Sequence, residues 1–341
     1  VVPNRRWRHA GLPSSRRFRR VVTHMQAMEQ LTALLEQRAP PAFSKELLAL
    51  RDALLARYNG AVDAMLFYGS NLRSGDALDG VVDLYLVVDD YRNAYQKSIP
   101  AMFNRLLPPN VYYIEVRSGE HLVRAKYAVI SMPDLERGTS AKWFHSYLWG
   151  RFSQPCELLY VGGDDTATRV RGALVQALLT FLHRVLPVLP ERLDSAAIWQ
   201  QGLALSYQAE LRAEKPQRAV HLYESWEDYY TKVTSLAMDV LPFNIKREQD
   251  ASSLIYTISI PAHTRALARL GWFVRRFLGK LLSLLRLMKA TFTCQGGIDY
   301  IAWKLERHTG ASIEVTPKMR RHPLIYSWGL LWRLYRRKVF R

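Results

Sequence analysis

Cysteine and long apolar runs are scarce in this chain of 341 residues. The only cysteines are Cys156 and Cys294, and their surroundings offer no metal-ligand spacing. We therefore expect reduced thiols in a cytosol-like compartment. No stretch reaches the roughly 18 uncharged apolar residues that a spanning helix needs. Arg and Lys interrupt even the most apolar region, around residues 266–290, so an integral membrane protein is not expected.

Acidic residues are scarce at both ends. Residues 1–28 contain seven arginines and no acid, and residues 262–341 contain 17 basic residues against three acidic ones, within a total charge of +18. Basic ends on a near-neutral body indicate a catalytic domain held at an anionic surface, either nucleic acid or acidic lipid. We expect residues 1–28 to be a disordered basic leader. Their acid-free, Arg- and Ser-containing composition leaves a mitochondrial presequence as the alternative.

The apolar pattern predicts an α+β core. Helical spacing over residues 24–58 is broken at 39–41, and strands are predicted over 61–69, 81–90 and 110–131, the last with a turn at Ser118-Gly119. Helices are predicted over 167–240, and 242–261 is a mixed connector. The predicted units are the leader, a domain with one mixed sheet (29–165), a helical domain (166–261) and a basic amphipathic C-terminal arm (262–341).

A Gly-Ser turn and a strand carboxylate suggest the chemistry. Gly69-Ser70 ends the first predicted strand, and Asp83 follows on the second strand after 12 intervening residues. Glycine lets backbone amides approach a phosphate closely, and serine adds a donor. A carboxylate on the neighbouring strand can bind magnesium, which gathers triphosphate oxygens. This spacing is typical of polymerase-β-like nucleotidyltransferases.

The second carboxylate that this pattern usually carries is missing. Tyr85 occupies its position, two residues after Asp83 on the same strand face. Asp89 and Asp90 lie at the far end of the strand, about 20 Å away at ~3.3 Å per residue. We expect both to cap the helix that begins near Tyr91. A second metal ligand must therefore come from elsewhere in the chain.

Several segments together resemble one nucleotidyltransferase family. They are LFYGSN (66–71), VVDLYLVVDD (81–90), VYY (111–113), AKYAVIS (125–131), WFHSYLWGRFSQP (143–155) and LSYQAELR (205–212). In order and spacing they resemble the mitochondrial-type phosphatidate cytidylyltransferases, the translocator assembly and maintenance family. The resemblance implies a peripheral membrane enzyme that joins CTP to phosphatidic acid and releases pyrophosphate and CDP-diacylglycerol. Family members also lack the second strand carboxylate, which accounts for Tyr85.

The resemblance, together with the chemistry of phosphoryl transfer, assigns roles to individual residues. The family motif Ser-Tyr-x-Gly-Asp-x-Arg corresponds to residues 206–212, with Ala209 for the glycine and Glu210 for the Asp. Asp83 and Glu210 are expected to bind Mg²⁺, although Glu210 could instead orient a Lys or Arg. The residues expected to contact CTP or lipid phosphate are Tyr68, Gly69, Ser70, Lys126, Arg151 and Arg212. Asp83, Lys126 and Glu210 are the expected catalytic groups, whereas His145 and His183 are expected to be structural.

The C-terminal arm carries an amphipathic pattern. On a helical wheel for residues 265–289, Arg265, Arg269, Arg276 and Lys280 fall within about 60°. Arg275, Arg286 and Lys289 widen this cationic arc, and aromatic and leucine residues fill much of the rest. The pattern predicts an interfacial helix on anionic lipid. The alternative is a helix packed on the protein with a solvated basic face.

Two other functions stay open at this point: a nucleotidyltransferase acting on RNA or another phosphorylated acceptor, and a non-catalytic assembly factor with the same fold. The mixing of basic with bulky apolar residues favours lipid over nucleic acid as the partner. The expected location is the cytoplasmic face of a bacterial inner membrane. The matrix face of the mitochondrial inner membrane is the alternative.

Overall fold

A computed structural model describes residues 15–36, 43–95, 97–210, 217–250, 253–293 and 316–317. Arg212, Cys294, most of the leader and nearly all of the chain after 293 lie outside the described residues, so expectations that fall on them stay predictions. The helices are α1 (Ser15–Glu36), α2 (Lys45–Tyr58), α3 (Ser70–Ser74), α4 (Tyr91–Ala94), α5 (Ser98–Leu106), α6 (Met132–Thr139), α7 (Ser146–Phe152), α8 (Asp164–Val185), α9 (Ser195–Gln208), α10 (Gln217–Ser225), α11 (Glu227–Val240) and α12 (Ala262–Thr293). The strands are β1 (Val62–Tyr68), β2 (Val82–Val88), β3 (Asn110–Ser118), β4 (His121–Ser131), β5 (Cys156–Val161), β6 (Arg192–Leu193), β7 (Asn244–Asp250) and β8 (Ser253–Ser259).

A five-stranded mixed sheet forms the centre, in the order β3-β4-β2-β1-β5. β2 and β4 pair in parallel, and the other neighbours pair antiparallel. The α+β class with a mixed sheet is thereby confirmed, as is the hairpin turn, where Gly119 adopts φ 61°. β1 and β2 are buried on both faces, which explains why their sequences are nearly continuous apolar runs.

The two faces of the sheet pack into separate cores. Leu84 and Leu86 of β2 point into a smaller core covered by α2. Tyr85 and Val87 point into a larger core that contains α8, α9 and α11. Because side chains alternate along a strand, Asp83 lies on the face of this larger core, at the end of the sheet.

Helices follow the sheet, as predicted, from Asp164 to Val240. Their aromatic side chains stack in series: the ring centroids of Phe181 and Trp199 are 4.9 Å apart, and those of Trp199 and Tyr230 are 4.4 Å apart. The predicted mixed connector after α11 is a strand pair, β7 and β8, which β6 extends to a three-stranded sheet. One continuous core therefore joins the mixed sheet to the helices.

The first helix overlaps the segment assigned to the basic leader. Helix α1 begins at Ser15, inside the segment predicted to be disordered, and continues to Glu36. Ala27 and Leu31 of this helix are buried in the protein. The helix therefore has tertiary contacts on one face, and the leader expectation stays a prediction only for the residues before Ser15.

Helix α12 differs from the predicted interfacial helix because some of its basic side chains point into the protein. Arg275 is buried, with its guanidinium over the rings of Phe144 and Trp272, and Arg265 donates to the carbonyls of Leu189 and Ile258. The cationic arc is thus divided. The outward side is mainly apolar, with exposed Leu267, Leu270, Phe273, Val274, Phe277, Leu281, Leu284 and Leu285. Within the described part of the chain, no helix is long and apolar enough to cross a membrane.

Candidate active site

Gly69 brings the end of β1 against the carboxylate of Asp83. The register pairs Tyr68 with Asp83, so the next residue turns beside that side chain. Gly69 adopts φ 93°, a left-handed conformation, and an added Cβ would lie 2.9 Å from Oδ2 of Asp83. Any other residue at position 69 would therefore be strained and would also collide with the carboxylate. Ser70 follows as the first residue of α3.

A buried asparagine fixes the loop between these two strands. Asn71 is 1% exposed, and its side-chain nitrogen donates to the carbonyls of Asp76 (2.8 Å) and Asp79 (2.9 Å). The loop from α3 to β2 is thus held by two hydrogen bonds from a single side chain. Asn71 stood within the matching sequence segments but received no role there. Its position directly after Gly69-Ser70 was the available signal.

Lys126 pairs directly with Asp83. The parallel register of β2 and β4 places the two residues opposite each other, and their Nζ and Oδ1 atoms are 3.0 Å apart. Both side chains are partly exposed, at 38% and 23%. The pair therefore lies at an accessible end of the sheet, where an incoming anion could contact the ammonium group.

Arg151 and Glu210 form a second ion pair, more enclosed than the first. Arg151 lies near the end of α7, and Glu210 follows the end of α9, so the pair joins the sheet region to the helices. Nη2 of Arg151 and Oε2 of Glu210 are 3.6 Å apart, and the two side chains are only 12% and 11% exposed, respectively. The contact corresponds to one of the two roles considered for Glu210, the orientation of an Arg, and both roles stay predictions.

Tyr68 links the two ion pairs. It is the register partner of Asp83, and its hydroxyl accepts a hydrogen bond from Nη1 of Arg151 at 3.3 Å. The Arg151 guanidinium also lies 5.4 Å from the centroid of the Tyr68 ring. Burial raises the pKa of Tyr68 to about 12. The phenol therefore stays protonated near neutral pH and serves as a polar spacer between two charged pairs.

Residues 91–218 match a family model described as "Phosphatidate cytidylyltransferase, mitochondrial". This match confirms the resemblance found in the sequence, and because the family is one of cytidylyltransferases it also confirms the prediction of a nucleotidyltransferase. The matched range contains Lys126, Arg151 and Glu210. Gly69, Ser70 and Asp83 precede it, so their assignment rests on the spacing and on the contacts described above.

No curated protein sequence matches the chain. A solved structure described as a nucleotidyltransferase-like protein from Exiguobacterium sibiricum 255-15 is similar with 10% identity and a TM-score of 0.26, over 63% of this chain and 99% of that one. Similarity at this level supports no conclusion about the site.

Tyr85 fills the position where a second strand carboxylate would stand. It is fully buried, and its ring centroid lies 5.5 Å from that of Tyr68 and 4.9 Å from that of Phe152. A carboxylate here would be surrounded by aromatic rings and would lose its hydration. The local packing therefore explains why this site has a single strand acid.

The acids at the other end of β2 have structural roles. Asp90 is the N-cap of α4 and accepts a hydrogen bond from the backbone of Arg92 at 2.8 Å. Asp89 accepts from the side chain of Asn93 at 2.7 Å. Both acids are therefore engaged at the start of α4, as expected for capping residues.

The donor set fits a magnesium ion that is completed by substrate. Within the described residues, no three His, Cys, Asp or Glu side chains come together as a metal site. Asp83 offers one partly exposed carboxylate beside the Gly69 turn. Mg²⁺ in nucleotide enzymes is usually held by one or two carboxylates, waters and phosphate oxygens. Asp83 suits this mode, whereas Glu210 contacts Arg151.

The two histidines singled out in the sequence are packed in the protein. Burial lowers the pKa of His145, and the nearby Arg286 and Arg275 lower it further. Burial likewise lowers the pKa of His183, whose ring stacks on Phe243 at 5.4 Å. Both imidazoles are therefore uncharged near neutral pH.

The sequence reasoning missed Tyr147, which contacts Arg151, and it missed the contact of Arg286 with Tyr147. Tyr147 stands one turn before Arg151 on α7, with its ring centroid 5.2 Å from the guanidinium carbon. Arg286 of α12 lies over the same ring. Tyr147 could have been found from its helical spacing to Arg151, but Arg286 is distant in sequence and gave no signal of this kind.

Proposed function

We propose that this chain transfers the cytidylyl group of CTP to phosphatidic acid at a membrane surface. The observation that carries the proposal is that Tyr68 links two ion pairs, Asp83–Lys126 and Arg151–Glu210. Two cationic side chains, Lys126 and Arg151, are thereby placed near Gly69 and Asp83. Phosphoryl transfer depends mainly on positioning and on neutralising phosphate charge. Two cations and one accessible carboxylate supply these needs without a covalent intermediate.

In the proposed reaction, an oxygen of the phosphatidate phosphate attacks the α-phosphorus of CTP. The bond between the α-phosphorus and the bridging oxygen to the β-phosphate breaks, and pyrophosphate leaves. The phosphatidate oxygen is already ionised near pH 7, so no strong general base is required. This agrees with the packing of His145 and His183 inside the protein, where burial lowers the pKa of both imidazoles.

The proposed roles follow from the contacts of each residue. Gly69 and Ser70 would receive the CTP phosphates, and Asp83 would hold Mg²⁺, which neutralises triphosphate charge when bound. Lys126 would exchange its contact with Asp83 for a phosphate oxygen. Arg151 would bind phosphate while Glu210 and Tyr68 fix its orientation. Arg212, outside the described residues, is proposed as a further phosphate ligand.

The membrane part of the proposal rests on α12. Its outward face exposes a row of apolar side chains, with Phe273 at 65% and Phe277 at 69%. Arg269 and Lys280 are also exposed, and both lie beside this row on the helical wheel. Anionic lipid would cover the row and attract these cations. Since the matched family is mitochondrial, we propose the matrix face of the mitochondrial inner membrane, the alternative of the sequence analysis.

The decisive assay incubates the protein with magnesium, labelled CTP and phosphatidate vesicles. We expect pyrophosphate and CDP-diacylglycerol, and we expect Asp83→Asn to abolish turnover without lowering the melting temperature. The matched control is Asp89→Asn, which changes the acid beyond the opposite end of β2 and should keep near-normal turnover. Label transfer to RNA, or no transfer by folded protein, would reject phosphatidate as the substrate. Near-normal turnover of Asp83→Asn would remove Asp83 from the site.

A further inference from the structure

Arg286 brings a cation from the membrane-facing helix to the edge of the candidate active site. Its guanidinium carbon lies 4.0 Å from the centroid of the Tyr147 ring. The guanidinium of Arg151 lies 5.2 Å from the same centroid. One tyrosine ring therefore holds two guanidinium groups, one from α7 and one from α12.

The Arg286 side chain is fixed but keeps open donors. Its Nε donates to the carbonyl of Pro108 at 3.2 Å, which orients the planar group. The terminal nitrogens make no hydrogen bond or ion pair with any residue that the structure describes. Planar guanidinium groups bind phosphate through two parallel hydrogen bonds, and a fixed one loses little freedom on doing so.

The charge around Arg286 favours an anion. Arg151 contacts the same Tyr147 ring as Arg286, Arg275 lies with Arg286 near His145, and Lys289 is one turn further along α12. His145 is uncharged near neutral pH because burial and the adjacent arginines lower its pKa. Glu210 is the acid that pairs with Arg151. A bound phosphate would relieve the mutual repulsion of the guanidinium groups.

The same stretch of α12 is apolar on its outer side. Leu281, Leu284 and Leu285 are 44%, 46% and 42% exposed, and Arg286 follows immediately. A lipid lying along this face could place its acyl chains on the leucines and its headgroup beside Arg286. A nucleoside triphosphate has no acyl chain that could cover these exposed leucines.

We propose that Arg286, packed on Tyr147, binds the phosphate of the lipid acceptor, whereas Lys126 and Arg151 bind the triphosphate. This inference rests on the proposed function and adds the acceptor site to it. The arrangement would set the acceptor phosphate at the Tyr147 ring, which the guanidinium group of Arg151 also contacts. The ligand class is a phosphomonoester carrying apolar chains.

The test uses soluble dihexanoyl phosphatidate, which separates phosphate recognition from vesicle binding. In the full chain, Arg286→Gln should raise KM for this lipid by about tenfold to hundredfold, the usual effect of losing a charge-assisted hydrogen bond. KM for CTP should stay within about twofold. Arg286→Lys should recover part of the loss, because a point charge remains but the planar fork does not.

The matched control is Arg265→Gln. Arg265 also docks α12 through backbone carbonyls, but it lies 21 residues earlier on the helix, about 30 Å away at ~1.5 Å per residue. It should leave KM for dihexanoyl phosphatidate unchanged. An equal rise in both variants would show that loosened docking is the cause and would overturn the proposal.

The remaining outcomes separate this inference from the proposed function. If the wild type makes CDP-diacylglycerol and Arg286→Gln leaves KM for dihexanoyl phosphatidate unchanged, the proposed acceptor site is refuted. The proposed cytidylyltransferase activity is then still supported. If the wild type does not turn over, calorimetric titration with dihexanoyl phosphatidate decides the inference alone. Binding that Arg286→Gln weakens at least tenfold supports the site. Equal binding by the two proteins, or no binding by the wild type, refutes it.

Discussion

Gly69 and Asp83 share a space that has no room for a further carbon atom. The left-handed backbone at Gly69 and the 2.9 Å approach of a hypothetical Cβ to the carboxylate are independent reasons for glycine. The first concerns stability, since a side chain at this φ costs about 1–3 kcal/mol. The second concerns the site, since the displaced group is the proposed magnesium ligand.

Gly69→Ala should therefore lose activity beyond what its stability loss explains. We expect kcat/KM to fall by about a hundredfold, the usual scale for moving a reacting group by ~1 Å. Gly75→Ala is the matched control, because Gly75 also has a left-handed φ of 72° but nothing lies within 4 Å of its added Cβ. Melting curves and steady-state kinetics of both variants would measure the difference. Equal activity in the two variants would show that contact with Asp83 is unimportant.

At the scale of single elements, α12 has two different faces, one packed on the protein and one exposed. Trp272 is 2% exposed, and its indole nitrogen donates to the carbonyl of Arg184 at 2.8 Å. Gly279 lies so close to the backbone of Ala209 that a Cβ would overlap the carbonyl oxygen. The inner face thus belongs to the protein core and adjoins Glu210. The outer face is the part available to a membrane.

Phe273→Ser and Phe277→Ser should weaken vesicle binding without destabilising the fold. Burying a phenylalanine in lipid contributes about 1.5–3 kcal/mol, so each change should lower the partition coefficient by roughly tenfold or more. Co-sedimentation with anionic liposomes measures the effect. Ile99→Ser is the control, because Ile99 is exposed to 61% on α5. Unchanged co-sedimentation of the Phe variants would count against α12 as the membrane contact.

For the whole molecule, Lys289 couples the docking of α12 to pH. Its ammonium group donates to the carbonyls of Leu107 and Pro109, which precede β3. Burial lowers the pKa of Lys289 to about 7, against a usual value of about 10.4 in an unfolded chain. Between these values the unfolded chain binds more protons than the folded one, so the folded state gains stability as pH rises.

Lys289→Met should remove this gain. The melting temperature of the wild type, relative to that of the variant, should rise between about pH 7 and pH 10 and stay level below pH 7. Arg275, whose pKa burial lowers to about 10, contributes only above this window. Lys246→Met, at an exposed position of β7, is the control. A constant difference between wild type and Lys289→Met across the window would contradict the assigned burial effect.

The sequence by itself determined the local features of the protein. The apolar runs 61–69 and 81–90 predicted β1 and β2 because buried strands need apolar side chains on both faces. Asp90 predicted a helix start because its carboxylate can accept from exposed backbone amides. The resemblance to the cytidylyltransferases, confirmed over residues 91–218, came from short segments whose order and spacing survive in the chain. Each of these signals lies within a short stretch of consecutive residues.

Tertiary structure decided which charges meet. The helical wheel of α12 showed the same angular pattern whether its cations faced lipid or protein, and only packing against Trp149 and Phe144 turned Arg275 inward. Only the fold placed Glu210 beside Arg151. Arg286 reached Tyr147 across more than a hundred residues of chain. Contacts of this kind depend on how whole elements dock, and the pattern along one element does not encode the element it docks on.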